Sequence, residues 1–378
     1  MTRKVAIINN YNEITNQVQC REKQKNLVKQ VNELMDTKKG VLVMDEHALA
    51  FDFFLSLINR KNHWENRRHF RQFLITPPLQ EQFSAAVLSE EFTKQNDNHA
   101  VEFIDILKAK GLTVGIRLDS DISEIFGSVG EYIGTGVNEV VTRLNKYKES
   151  GFVYSKWRSV YQIKENSPTL YNTEKISYIL ATFAAMSQEC ELVPIISVEV
   201  VPDGAEDIYK AAKVLEKILI NLIKALNDFD VLLEATILQV SFVQPGRMSS
   251  NFSISPEEIA EQTLEAFKKS LPVGLGGLMF HSSGLSEENA TQTLNHIMLK
   301  KKENESMVPW KMTHSFGRAQ KASAIMTWKG DPEFEEAGQA ELMARAKANN
   351  EALLGEYTAG KVQGSNSEHD LFVPDYIF

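Results

Sequence analysis

The sequence is poor in cysteine. With only Cys20 and Cys190 in 378 residues, no disulfide framework can be drawn, and a reducing compartment is implied. Long apolar runs are also missing, since no stretch approaches the ~18 residues of a membrane span. The run Val5 to Ile8, which follows Arg3 and Lys4, is too short for the apolar part of a secretion signal. The expected setting is cytoplasmic. Positive charge is not in excess either: the net charge is −9, which argues against non-specific nucleic-acid binding and against anionic membranes. No Gly-x-Gly-x-x-Gly follows the first apolar strand pattern, which counts against a dinucleotide-binding sheet. No histidine cluster has metal-ligand spacing. His47, His281 and His314 read as packing or hydrogen-bonding residues, and no metal or other cofactor is called for.

What remains is an ordinary globular composition, 43% hydrophobic and 24% charged. Residues 1–20 are polar and rich in Asn and Gln, and read as a flexible arm. From Leu27 onward, short apolar strand patterns alternate with helical ones. The strands expected are Val41–Met44, Ala85–Ser89, Thr113–Leu118, Phe152–Trp157, Val193–Val200, Val231–Gln239, Gly276–His281 and Trp310–Phe316. Alternation of this kind implies a parallel sheet, and eight units imply closure into a (β/α)8 TIM barrel, an α/β fold of one domain over residues 21–354. An open doubly wound sheet is the alternative left by the pattern alone. Residues 355–378 read as a mobile tail ending in two apolar patches, Leu371-Phe372-Val373 and Tyr376-Ile377-Phe378, which would dock on some surface.

In a barrel of this type, functional residues come from the carboxyl ends of the strands. Those positions hold Asp45, Arg117 with Asp119, Lys156, Arg158, Glu199, Gln239, Ser282, and Ser315 with Arg318. Several stretches in order carry a specific resemblance. Among them are Lys39-Gly40-Val41-Leu42 with Asp45-Glu46, Glu65-Asn66-Arg67-Arg68, and Val114-Gly115-Ile116-Arg117. Ser155-Lys156-Trp157-Arg158, Val193-Pro194-Ile195 with Glu199, and Pro202-Asp203-Gly204 follow. Leu233-Glu234 with Pro245-Gly246 and Ser315-Phe316-Gly317-Arg318-Ala319 complete the series. The chain resembles the class I fructose-bisphosphate aldolases from about Lys39 to Tyr357.

The resemblance implies roles. Asp45 matches the acid that orients substrate hydroxyls, and Lys156 the lysine that stabilises negative charge beside the reacting carbon. Glu199 matches the second of two fifth-strand acids, Arg158 a pocket-lining residue, and Arg117 a position where the family has Lys. Ser282 and Gly284, with Ser315, Gly317 and Arg318, match the cradle for one phosphate, where an Arg fork can grip two oxygens. Departures from the family pattern fall in the same site. Gln239 stands where the family has its Schiff-base lysine, and an amide nitrogen is no nucleophile for a ketone. Ser197 stands in place of the first fifth-strand acid, and Ser283 in place of a glycine in the cradle. His47 and Ala50 replace hydroxyls, and Phe54 an Arg, at the far phosphate. Phe378 replaces the terminal Tyr.

Three functions are therefore compatible with the sequence. The first is a catalytically degenerate aldolase homologue acting as a scaffold or binding subunit, with a cytoskeletal or other protein assembly as partner and a homotetrameric state by family. The second is an active aldolase using a relocated Schiff-base lysine, Lys156. The third is a sugar-phosphate sensor without chemistry.

Overall fold

The structure is a computed structural model, and it describes residues 20–362, 364 and 367–375. The arm before residue 20 and the terminal Tyr376-Ile377-Phe378 lie outside the described residues. The chain first lays down three parallel strands, β1 (Gly40–Met44), β2 (Phe83–Leu88) and β3 (Thr113–Arg117). It then makes a separate antiparallel hairpin, β4 (Ile122–Ile125) and β5 (Ser128–Gly134). The parallel sheet resumes with β6 (Tyr154–Gln162), β7 (Val193–Val201), β8 (Ile237–Ser241), β9 (Gly277–His281) and β10 (Met312–His314). Leaving out the hairpin, eight parallel strands follow one another in chain order around a nearly closed barrel. The TIM barrel is thus observed as a single α/β domain.

The seam between β10 and β1 is bridged by side chains. Thr313 donates to the Lys39 carbonyl at 2.9 Å. Asn350, on the last helix, accepts the Gly40 N–H at 3.1 Å and lies 3.0 Å from His314 Nε2.

Helices wrap the barrel because their apolar residues recur with a period near 3.6. In the helix Ile208–Asp228, which follows β7, Ile208, Ala211, Leu215, Ile218, Leu219, Leu222, Ala225 and Leu226 are all buried. The Asp207 carboxylate caps it by accepting the Lys210 N–H at 2.7 Å. The next helix, Pro256–Ser270, starts from a Ser255 cap. Pro256 stands in its first turn and Lys268 and Lys269 in its last, as the helix dipole favours.

The lower end of the barrel is closed by a helix over residues 20–35. Its Leu27, Val31, Leu34 and Met35 pack with Val41, Val87, Ile195, Ile237 and Met279 in one apolar cluster. Each such side chain contributes roughly 1.5–3 kcal/mol. Gly277 is needed here, because a Cβ on it would stand 2.6 Å from the Met35 methyl.

Three boundaries differ from the sequence expectation. The apolar run from Val231 is split: Leu233–Ala235 form a 3-10 turn and the strand starts at Ile237. The Gln188 side chain holds that turn by accepting the Leu232 N–H at 3.0 Å and donating to the Leu232 carbonyl at 2.8 Å. The fourth barrel strand continues to Gln162, because β7 pairs with it all the way to Gln162↔Val201. The last barrel strand is shorter than Trp310–Phe316, spanning Met312–His314.

Candidate active site at the barrel mouth

Strand pleating turns every second residue inward. Along β6 the inward series runs Tyr154, Lys156, Arg158; along β7, Val193, Ile195, Ser197, Glu199; along β8, Ile237, Gln239, Ser241. Each series changes from apolar to polar as it rises. The register places Arg158 opposite Ser197 and Ser197 opposite Gln239, so these three share one level. Asp45 follows β1, and Arg117 and His281 end β3 and β9. A small cavity of about 40 Å³ is left between Asp45, Phe54, Arg117, Lys156, Arg158 and Glu199, with His281, Gly317 and Arg318 also on its wall.

Opposite charges meet across that space. Lys156 Nζ lies 2.7 Å from Asp45, with both side chains almost fully buried. Arg158 grips Glu199 with two parallel bonds, Nε and Nη2 each donating at 2.9 Å. Arg117 Nε donates to Asp119 at 2.8 Å, and Nη1 donates to the Asp45 carbonyl at 3.3 Å. These pairs set the ionisation. Burial alone would raise the Asp45 carboxyl, but Lys156 and Arg117 bring it below its ordinary value. The Glu199 carboxyl is likewise driven well down: burial opposes this, but Arg158 and neighbouring cations outweigh it. Arg117 is held charged by Asp119 against the opposing effect of burial. His281 is pushed down to about 4 by burial, although Glu199 pulls the other way. It is therefore neutral at pH 7. Its Nδ1 accepts the Ser283 N–H at 3.2 Å, which leaves Nε2 protonated and 3.6 Å from Glu199.

Gln239 is 1% exposed, and its amide donates to Ser315 Oγ at 2.6 Å. That hydroxyl in turn donates to the Phe280 carbonyl at 3.2 Å. Ser315 is thus occupied inside the barrel. Ser197, fully buried, lies 3.3 Å from Glu199 Oε1.

The other cradle residues form a loop and a helix start. Ser282 is buried, Ser283 takes a left-handed φ of +45°, and Gly284 one of +88°. The serine departs from the residue type that adopts this backbone freely. Gly317 precedes the helix Arg318–Trp328, whose N-terminal N–H groups favour an anion, while the Arg318 guanidinium on the cavity wall stands 5.7 Å from the Phe53 ring centroid. The tail lies directly on this loop. The Leu371 N–H donates to the Gly284 carbonyl at 3.3 Å, Leu371 is fully buried, and a Cβ on Gly284 would stand 3.1 Å from Phe372 Cα.

The family's sequence model, described as fructose-bisphosphate aldolase class-I, matches residues 26–378. The chain belongs to the class I fructose-bisphosphate aldolase family. It is 38% identical over 342 residues to cytosolic fructose-bisphosphate aldolase 6 of Arabidopsis thaliana, covering 90% of this chain and 94% of that one. It is 35% identical over 359 residues to fructose-bisphosphate aldolase B of Bos taurus, covering 94% and 97%. A solved fructose-bisphosphate aldolase from Plasmodium falciparum, in complex with TRAP and a small-molecule inhibitor, superposes with a TM-score of 0.84 at 30% identity, covering 90% of this chain and 97% of that one.

Asp45, Lys156, Arg158, Glu199 and Arg117, singled out from the sequence, are brought together at one cavity, and Gly317 and Arg318 reach its wall. Gln239, Ser197 and Ser315 lie against this network inside the barrel, while Gly284 sits under the tail and Ser282 is buried with its carbonyl accepting from Gln244. Two groups were not recognised from the sequence as parts of this site. His281, read there as a packing or hydrogen-bonding residue, accepts the Ser283 N–H and also faces Glu199. Lys321, on the helix Arg318–Trp328, pairs with Glu46 and donates to the Val43 carbonyl at 2.9 Å. A basic residue three positions into the last barrel helix was the available signal. Among the described residues no group of three His, Cys, Asp or Glu side chains is placed to hold a metal ion, and no helix is long and apolar enough to cross a membrane.

Proposed function

We propose that this chain is a non-cleaving member of the aldolase family, which acts as a binding or scaffold subunit, cytoplasmic and homotetrameric, with a cytoskeletal or other protein assembly as partner. The observation that carries this reading is Gln239. At the position matching the Schiff-base lysine stands a buried amide that holds Ser315 and offers no nucleophile. The mouth supports the same reading in two further ways. Asp45, Glu199 and His281 are each tuned away from neutrality, whereas general acid–base catalysis works best with groups that titrate near the operating pH. The space beside Lys156 and Glu199 is also narrow, about 40 Å³, and the adjoining space of about 300 Å³ over Asp45 and Arg117 carries five carboxylates against two arginines, which disfavours a phosphate. The Plasmodium falciparum aldolase, solved in complex with TRAP, is a precedent for a barrel of this family bound to another molecule.

A second reading keeps the chemistry and moves it to Lys156, whose ammonium lines the cavity. Asp45 engages that amine in a buried ion pair at 2.7 Å, so attack on a ketone would first have to break the pair and strand the carboxylate. Sugar-phosphate sensing at Arg318 and Ser282 is a third use, which the tail lying over Gly284 would restrict.

The test is a cleavage assay on fructose 1,6-bisphosphate with the natural chain beside Gln239→Lys. No turnover by the natural chain is expected. Turnover at rates typical of enzymes, about 1–10³ per second, would overturn the proposal. The substituted chain is expected to remain inactive, because Ser197 and the Arg158–Glu199 pair are untouched by the change.

A further inference from the structure

A second and larger space lies beside the mouth. It is a groove of about 960 Å³ between the loops that follow β6, β7 and β8, with the tail along one side. Its apolar surface comes from Ile163, Met248, Phe372 and Pro374. Met248 is 71% exposed and borders the same groove as Phe372 and Pro374.

Two carboxyl groups of the loop that follows β7 also line the groove, and each has an oxygen without a partner among the described residues. Glu206 is 6% exposed, and its buried Oε1 has no hydrogen-bond partner among the described residues. The two loops pass closely here, since a Cβ on Gly246 would stand 2.1 Å from the Gly204 carbonyl oxygen, and Glu206 Oε2 lies against both glycines. Asp203 accepts the Asp375 N–H at 2.8 Å through Oδ1, while its buried Oδ2 is the one left over. Burial raises both carboxyls above their ordinary values. Buried carboxyl oxygens left without donors are costly, and a ligand that supplies donors gains from them.

Lys164 and Arg318 act on Asp203, and Lys210 on Glu206, only at long range, and among the described residues no cation forms an ion pair with either carboxyl. Arg247 is engaged by Asp370 at 2.6 Å and stands over the Phe372 ring at 5.1 Å. Lys164 and Lys210 are on the lining, where Glu165, Asp207 and Asp375 more than offset them.

We propose that this groove docks an extended peptide segment of a protein partner through one lysine or arginine, whose cation reaches Asp203 and Glu206 while apolar neighbours lie on Met248 and Phe372. Charge complementarity selects the basic residue. The size of the groove and its apolar walls select a peptide over a lone cation, since the space is far larger than one side chain. This inference rests on the binding role proposed above and gives it a surface. The cleavage assay reads only the mouth, so failure of one leaves the other standing.

The experiment uses the full chain and fluorescence anisotropy. The probes are a labelled, end-blocked Leu-Ala-Arg-Ala-Leu peptide, the same peptide with citrulline in place of arginine, and agmatine as a competitor. Saturable binding of the arginine peptide is expected, about tenfold tighter than the citrulline form. Glu206→Gln and Asp203→Asn should each weaken it about fivefold or more, with the thermal midpoint unchanged or raised, because an unpaired buried acid is removed. Lys210→Ala should tighten it by removing a like charge, an effect that general damage to the fold would not produce. Absence of binding, equal binding of the citrulline peptide, no effect of Glu206→Gln, or agmatine binding as tightly as the peptide would each overturn the proposal.

Discussion

The two ends of this barrel are built on different principles. The lower end is apolar: Val41, Val87, Ile195, Ile237 and Met279 meet Leu27, Val31, Leu34 and Met35 of the first helix. The upper end is an ion network in which Lys156–Asp45, Arg158–Glu199 and Arg117–Asp119 neutralise one another. Apolar packing tolerates sequence change so long as volume and pattern persist. A buried ion network does not, since removing one partner strands the other. The backbone can therefore remain that of an aldolase whatever residues stand at mouth positions such as 239 and 197, on which the chemistry of the site depends.

The largest effect should come from putting the upper end's chemistry into the lower end. Val31→Asp would bury a carboxylate with no partner at a position now fully enclosed, a change expected to cost several kcal/mol. Loss of a cooperative thermal transition is the expected result, and retention of the natural midpoint would break the contrast. Next comes the reverse move. Glu199→Leu strands Arg158 and should cost about 3–5 kcal/mol in urea unfolding, whereas adding Arg158→Met should recover most of that loss. If the double variant were no better than the single one, the pair would not be acting as a unit.

Acid should act on the upper end and the seam. His281 and His314 are both pushed by burial to about 4, against an ordinary value near 6.5. Between those pH values only the unfolded chain takes up their protons, so stability falls as pH drops through that window, by at most about 1.4 kcal/mol per pH unit for each histidine. Asp45 and Glu199 act in a lower window. Their folded-state values are depressed, so their contribution is full above the ordinary carboxylate range and is lost as pH falls through the folded values. Urea midpoints from pH 7 to 4.5 check the histidine window, and His281→Asn should reduce the slope there. The smallest effect is Gln239→Met. It removes a buried Oε1 that has no partner among the described residues but also the amide's bond to Ser315, so the two effects nearly cancel and stability should change by less than about 1 kcal/mol, read as a nearly unchanged thermal midpoint.

The barrel was legible because alternation of strand and helix patterns is a local property, and the positions of Asp45, Lys156, Glu199 and Gln239 followed from short matching stretches. The pairings were not legible. Arg158 could have met Asp45, and Ser315 could have faced a phosphate; which partner each takes depends on register across several strands, such as Arg158↔Ser197↔Gln239. The hairpin Ile122–Gly134 was missed because polar residues and glycines dominate it, and Val231–Leu233 was read as strand because an apolar run has the same composition in a buried turn.

A mouth without a reactive lysine forms no Schiff base, and borohydride trapping reads this out. The natural chain, incubated with fructose 1,6-bisphosphate or dihydroxyacetone phosphate and reduced, should keep its unmodified mass by mass spectrometry. A reduced adduct mapping to Lys156, or to any other lysine of the barrel mouth, would contradict the account.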